Sequence, residues 1–521
     1  MKKTLKVFSL VVLILIIVGF VWAYQNVRDR HPDYSLDLNL KSEQPGEFKA
    51  GFAAFPITPK IEDVWTDANN DAKFDPDDGD TFQDLNGNGE FDAYWIAGFD
   101  NARAANGVHD DLWARVVVVD NGQARIAIVS LDVVGFGHDD VVDVRKRIPA
   151  SAGVDYTLIS ATHVHEAVDL VGIWGESQFE SGVNPEYMDF VQQQIADAVT
   201  HAAKNLRPAK LRFAQDLTGA DPYVTDSRPP FIKDPGLRLM HAVDAESDTT
   251  LGVLVAWANH PETLWSKNLL LSSDFPHYIR EGLEKGVYNG ETLHMAGLGG
   301  TAVYINGAIG GLMTTDPDLG IKDPFSDQEF FEPSFEKIKA QGDQIAMLAL
   351  NALRGEGVVE IENGRINLLA KTLDLPLENK NFRLASLLGV LDRGMAGWFK
   401  MRTEIAAFEI GPASFLSVPG EIYPEIINGG IEAPEGQDFE TEPVETPPLR
   451  SLMQGEFKFV IGLGNDLLGY IIPRSEWDEE APFIYDLPNS PYGEINSVGP
   501  DTAPLLHAAM KELLLELSEK P

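Results

Sequence analysis

From Leu112 the chain reads LWARVVVVD, then ARIAIVSLDVVGF, then YTLISAT, short runs that are β-branched and almost continuously apolar. Such runs predict strands buried on both faces, because a strand with one wet face alternates apolar with polar side chains. In NPEYMDFVQQQIADAVTHAAKNL the period changes. Met188, Val191, Ile195, Val199, Ala202 and Leu206 fall at helical spacing, with Asn184 as N-cap and Pro185 in the first turn. A second set follows: strand LGVLVAWAN, a helix from about Pro276 to Glu284, strand TAVYIN, and a helix around Phe335 to Leu353. EIAAFEIGPASFLSVPG and FKFVIGLGN predict later strands, and APLLHAAMKELLLELSEK a closing amphipathic helix. FKAGFAAFPITP, interrupted by Pro56 and Pro59, predicts an edge strand or extended segment. Strands and helices mix without a break in composition. The prediction is a single large α/β domain over 48–521, with mixed β-sheets flanked by helices.

Four stretches depart from this pattern. MKKTLK precedes the apolar run VFSLVVLILIIVGFVW, so residues 1–23 read as a secretory signal or a membrane anchor. Val21 and Ala23 fit the small-residue cleavage rule, while a retained run over residues 7–22 would serve as the anchor. Either reading implies export to a periplasmic, extracellular or membrane-tethered location. Residues 24–47 are polar and aperiodic, as in a linker, and 431–450, IEAPEGQDFETEPVETPPLR, predicts a mobile surface loop. LASLLGVLDRGMAGWFKMRT, at 384–403, is apolar enough to line an acyl-chain groove, to touch a membrane, or to pack as a core helix.

Composition narrows the function classes. The 80 acidic and 41 basic residues leave a net charge of −39, which repels nucleic acid and anionic headgroups and attracts cations. There is no cysteine, which removes disulfides, thiol nucleophiles and thiolate ligands together. A transition metal would have to be held by His, Asp, Glu or Tyr.

One acidic segment offers a place for hard cations. In TDANNDAKFDPDDGDTFQDLNGNGEFD, Asp67, Asn69, Asp71 and Asp75 occupy positions 1, 3, 5 and 9 of a loop, with Asp78 at 12. From Asp84 the spacing recurs as Asp84, Asn86, Asn88 and Asp92, with Gly89 at position 6 and Phe91 matching Phe74 at position 8. Alternating oxygens on a tight loop suit calcium, which takes six to eight oxygen ligands. This predicts a structural calcium insert over 67–92. Trp95 stands at position 12 of the second loop, so its closing ligand must come from elsewhere, with Asp80 the candidate. A solvated acidic face is the alternative.

Candidate chemistry concentrates at strand ends. His163 and His165, two of 11 histidines, close YTLISAT, and His260 closes LGVLVAWAN. In extended backbone residues i and i+2 face the same way, and the carboxyl ends of strands are where α/β folds place ligands. Spacing alone leaves a zinc site and a structural histidine pair both open.

Taken in order, FKAGFAAFPITP, GVHDDLWARVVVVD, IAIVSLDVVGF, LISATHVHEA, NPEYMDFV, AWANHPET with SSDFP, FLSVPGE and GNDLLGYIIP resemble the catalytic domain of neutral ceramidases, over roughly residues 48 to 515. The expectation is a catalytic domain without the immunoglobulin-like domain that follows it in that family. The resemblance implies zinc held by His163, His260, Glu421 and Tyr470, with His165 beside it as a hydrogen-bonding or proton-handling group. It also implies an exported zinc hydrolase in which ion-activated water cleaves an amide of a lipid-like or acylated substrate. Tyr470 could instead stabilise the oxyanion. Asp274 is a candidate to hold the outer nitrogen of a liganding histidine, or to cap the following helix.

The resemblance breaks on the substrate side. Where the family carries GDxSP with its serine, this chain reads YINGAIGGLMTT, with Gly311 and Met313 at the aspartate and serine positions. That role is absent or moved to Thr314 or Thr315, and a family arginine has only the loose match Arg228. Two alternatives stand beside the amidase: a zinc esterase, and a catalytically inactive, calcium-stabilised binding protein on the same fold.

Overall fold

The computed structural model describes residues 2–430, 442–483 and 487–519. Numbered in chain order, the longer strands are β1 (Asp37–Lys41), β2 (Lys49–Pro56), β3 (Trp113–Asp120), β4 (Arg125–Leu131), β5 (Tyr156–Ala161), β6 (Arg207–Asp216), β7 (Leu237–Asp244), β8 (Thr250–Ala256), β9 (Thr292–Ala296), β10 (Thr301–Ile305), β11 (Ile366–Pro376), β12 (Lys400–Ile410), β13 (Ala413–Ser417) and β14 (Phe457–Ile461). The longer helices are α1 (Lys2–Val27), α2 (His138–Arg147), α3 (Pro185–Lys204), α4 (Phe275–Glu284), α5 (Phe335–Arg354), α6 (Lys380–Leu388) and α7 (Thr502–Ser518).

A nine-stranded sheet runs β10-β8-β7-β6-β2-β3-β4-β5, with the short strand Val359–Ile361 beside β6, and a five-stranded sheet runs β1-β11-β12-β13-β14. The two pack face to face. β3 shows why its sequence is an unbroken valine run: Val117 and Val119 enter the core between the sheets, while Val116 and Val118 face the helices. Phe408, Phe415 and Phe459 stack inside that core at 4.6 and 4.5 Å between ring centroids, and Phe213 of the larger sheet reaches Phe457 at 5.5 Å. α3 and α5 cover the outer face of the nine-stranded sheet, and α7 covers the smaller one through Leu506, Met510 and Leu514. The result is a four-layer αββα domain, the mixed α/β class predicted. Asn184 caps α3 by accepting from the backbone N–H groups of Glu186 and Tyr187.

Four expectations change. β2 is an interior strand, paired along its length with β3 and at Lys49 and Ala50 with β6, and Pro56 is tolerated because it falls at the strand end. Residues 24–47 are not a free linker. α1 runs on to Val27, and Asp37–Lys41 pairs with β11 because Leu36, Leu38 and Leu40 alternate onto the inter-sheet core. Residues 384–403 are no single helix: α6 ends at Leu388, and an irregular stretch leads to β12. Of the loop expected at 431–450, residues 431–441 lie outside the described residues; beyond them Glu445 is buried and Leu449–Leu452 is helical. α1 itself is long and apolar enough to cross a membrane, a test that a secretory signal also passes.

The acidic insert folds as a symmetric pair. Short strands Asp63–Thr66 and Thr81–Asp84 pair antiparallel, and each runs into one loop. Asp80 accepts the N–H groups of Ala68 and Asp75 across the first loop, and Asp63 accepts those of Leu85 and Asp92 across the second. Buried Asp80 and Asp63 thus brace the two loops from the strand side, while Asp78 is exposed and reaches only the Asn69 amide, at 3.4 Å. Phe74 and Phe91, at matching loop positions, stack at 4.0 Å and hold the halves together.

Candidate metal centre

Both sheets send strand ends to one place. β5 leads to His163, β8 to His260, β13 to Glu421, and β14, after a loop, to Tyr470. Each of these strands has a parallel neighbour, so their carboxyl ends share an edge. Asn306, fully buried after β10, fastens two of the turns: its amide nitrogen donates to the carbonyls of Thr162 and Asn259, both at 2.9 Å. Glu421 and Tyr470 pair directly in a two-residue parallel bridge.

His163 lies in the left-handed backbone region, at φ 66°, a conformation that a β-branched or bulky residue holds only where its surroundings enforce it. Its Nδ1–H donates to Val134 O at 2.6 Å, and His260 Nδ1–H donates to Met313 O at 2.8 Å. Both rings therefore turn Nε2 inward, free of a hydrogen bond on His163 and within hydrogen-bond distance of Glu421 on His260. Glu421 Oε2 lies 3.1 Å from His260 Nε2 and 3.5 Å from His163 Nε2. Ligand nitrogens of His163, His165 and His260 all come within 4.8 Å of one another, and all three residues are buried. Burial holds the His163 imidazole down to about 3, hence neutral. At His260 the contact with Glu421 overcomes the same burial and draws the proton affinity up.

His165 belongs to a different partner. Its Nδ1 lies 3.1 Å from Glu262 Oε2, and its Nε2 is buried with no hydrogen-bond partner. Glu262 accepts a hydrogen bond from Thr314 Oγ1 at 2.6 Å. Against the cost of burial, His165, His260 and Thr314 hold the Glu262 carboxyl down to about 2, so it is ionised. Gly98 permits the packing: a Cβ there would sit 2.4 Å from the His165 ring.

These groups separate two lobes of a cleft. One is walled mainly by apolar side chains, among them Val134, Leu170, Trp174, Phe382, Leu391 and Leu468, with His163 and Glu421 at its end. The other holds Asp100, Glu262, Trp265, Thr314 and Asp316. His165, Tyr470 and Tyr492 line both. Burial, and then the Glu421 charge, push the Tyr470 phenol far above its ordinary range, so it stays a hydrogen-bond donor.

Of the other candidate residues, Thr314 reaches the centre through Glu262, whereas Thr315 bonds Asn259 and Gln341. Arg228 is not free for substrate. It forms a bidentate pair with Glu494 at 2.7 and 2.8 Å and touches Tyr423 OH, because a buried guanidinium needs its full complement of acceptors. Asp274 holds no histidine. Its carboxylate accepts the N–H groups of Phe275 and Leu264, capping α4, while backbone carbonyls hold the outer histidine nitrogens. The Met313 side chain is core, and its carbonyl orients His260. Sequence reasoning missed Glu262, two residues after His260 in NHPET, and Asn306 of YING; a polar residue just past a buried strand was the available signal for both. Nothing in the chain marked Tyr492.

The fold is that of the neutral ceramidases. No family model and no curated protein sequence matches the chain. Among solved structures, neutral ceramidase from Pseudomonas aeruginosa superposes with a TM-score of 0.62 at 16% identity, over 91% of this chain and 74% of that one. A ceramidase complexed with C2 gives 0.59 at 15% identity, over 91% and 75%. At such identity the likeness is one of fold, and function rests on the site itself.

Proposed function

We propose that the chain is an exported zinc-dependent hydrolase that cleaves the amide bond of a lipid-like or N-acylated substrate. The observation that carries this is the convergence of Glu421 Oε2 with the inward Nε2 atoms of His163 and His260 at the end of an apolar cleft. The ceramidase fold of the structural neighbours supports it. The donor set fits an ion: two imidazoles locked at their outer nitrogens, a carboxylate, and an orphaned buried Nε2 on His165, with the proton that His260 shares with Glu421 given up when a cation takes its place. His163, His260 and Glu421 would hold it, with Tyr470 beside them. When bound, zinc supplies a Lewis acid and lowers the pKa of its water.

The chain's own residues do the rest. The apolar lobe orients the acyl chain and keeps bulk water from the reacting carbonyl. Tyr470 OH donates toward the developing oxyanion. Glu262 steadies His165, whose free Nε2 takes a proton from the attacking water and returns one to the leaving amine. Glu262→Gln is expected to lower kcat by roughly 10–100-fold while leaving bound metal in place, read by steady-state kinetics alongside metal content.

The substrate class is tested on a panel of matched C12 acyl amides and acyl esters. Faster amide cleavage, with kcat/KM rising with chain length, is the expected result. Exclusive ester cleavage would favour the esterase, and no turnover of either would favour the inactive binding protein. In the acidic insert we propose two structural calcium ions, held by Asp67, Asn69, Asp71, Asp75 and Asp80 and by Asp84, Asn86, Asn88, Asp92 and Asp63. Removal of calcium with EGTA should lower Tm by several degrees, read by calorimetry before and after calcium is restored. An unchanged Tm would leave the insert a solvated face.

A further inference from the structure

The end of α1 is built into the wall of the apolar cleft. The apolar stretch Thr4–Val27 is exposed throughout its most hydrophobic window. At ~1.5 Å per residue it is about 36 Å long, enough to cross a hydrocarbon core of about 30 Å with some tilt. No flexible spacer follows it. Asn26 Nδ2 donates to Leu387 O at 3.0 Å, and Val27 O accepts the N–H of Met395 at 3.2 Å. Asp29 forms a bidentate pair with Arg402 at 3.0 and 2.8 Å, Arg30 pairs with Asp392, and Arg402 also donates to His31 O at 2.7 Å.

Those partners belong to the segment that walls the cleft. Phe382, Leu391, Asp392 and Met401 all line the lobe that ends at His163 and Glu421. Arg30 lies three residues beyond Val27, and three residues span at most about 10 Å. A headgroup layer is roughly 5–8 Å thick on each side of the core, so the cleft wall stands at the membrane surface if α1 spans the bilayer. Two large apolar side chains of the same segment are exposed, Leu384 at 54% and Trp398 at 83%. A tryptophan in that position suits the interfacial belt, where its ring is half in lipid. The net charge of −39 favours a zwitterionic rather than an anionic surface.

We propose that α1 is retained as an anchor, that Leu384 and Trp398 dip into the bilayer it spans, and that the apolar cleft takes its acyl substrate directly from that bilayer. The last step rests on the acyl-lipid reading of the site; the placement does not. The chain has no cysteine, so single nitroxide labels are clean. Leu384→Cys, Trp398→Cys and, as a control on β9, Leu293→Cys are labelled in the full chain and reconstituted in phosphatidylcholine vesicles. At 384 and 398 the label should be more accessible to oxygen than to a water-soluble nickel chelate, and the reverse should hold at 293. Water-like values at all three positions overturn the placement.

A slowly exchanging, pyrene-labelled C18 acyl amide is then supplied either in the enzyme's own vesicles or in separate ones. Hydrolysis at least tenfold faster in the shared membrane is expected. Equal rates overturn direct uptake while leaving the hydrolase intact. Lipid-buried labels with no hydrolysis, in vesicles or in detergent, overturn the hydrolase and leave the anchored placement standing.

Discussion

Glu421→Ala is expected to lower kcat/KM for an acyl amide by about 10³-fold, or ~4 kcal/mol of barrier, and to release the bound ion. Glu421 is the carboxylate that meets both His163 and His260, and the one negative charge in the proposed ligand set. Without it two neutral imidazoles remain, whose rings stay in place because Val134 O and Met313 O hold them. The loss should therefore be chemical and not a loss of fold. Glu421→Gln, nearly isosteric, separates the two: it keeps the packing and loses the charge that pairs with His260, so the metal-free variant should stay folded with a Tm only modestly below that of metal-free wild type. Kinetics, metal content and Tm on the same preparations check all three points. A variant that keeps its activity would place the chemistry elsewhere.

The second large effect concerns stability. Glu404→Ala is expected to destabilise the domain by about 3–5 kcal/mol at neutral pH, measured as a shift in the denaturant midpoint. Glu404, on β12, is fully buried. It accepts both guanidinium nitrogens of Arg145 at 2.7 and 2.8 Å, Tyr156 OH at 2.8 Å and the Asn465 amide at 2.9 Å. Asn465 in turn accepts the N–H of Ile159, so this carboxylate joins the smaller sheet to the strand that carries His163 and to the loop that leads to Tyr470. Removing it strands Arg145 in the interior. The pH dependence has a definite sign. Against the cost of burial, Arg145 holds the Glu404 carboxyl well below the usual carboxylate range. A depressed pKa contributes stability that is whole above the unfolded value of about 4.3 and is lost as pH falls toward the folded one. The gap between wild type and variant should therefore be widest at neutral pH and shrink below about pH 4.

How much of this was legible in the sequence depended on whether the cause was local. The valine run of β3, the helical stripe of α3 with its Asn184 cap, and the strand ends at His163 and His260 are local signals, and each stands where the pattern placed it. The proposed ligand set came from motif order, and Glu421 and Tyr470 are joined in the structure by a parallel bridge that no local pattern encodes. Glu262 and Asn306 act on residues from other strands, so their work is visible only once the sheet is assembled. The same reason explains the misplaced Arg228, and why Asp274 stood between two roles until its capping of α4 was seen: a charge can be read from sequence, but its partner cannot. β1 hid behind the polar residues that separate Leu36, Leu38 and Leu40, and the loop-bracing Asp63 and Asp80 required the pairing of two short strands.

The most direct test of the metal centre is the zinc content of the full chain, purified without added metal, followed by acyl-amide hydrolysis before and after chelation. The account predicts about one zinc per chain, turnover lost on chelation and restored by zinc, and neither zinc nor turnover in His163→Ala. A protein free of stoichiometric zinc that hydrolyses the amide equally well with chelator present would contradict it.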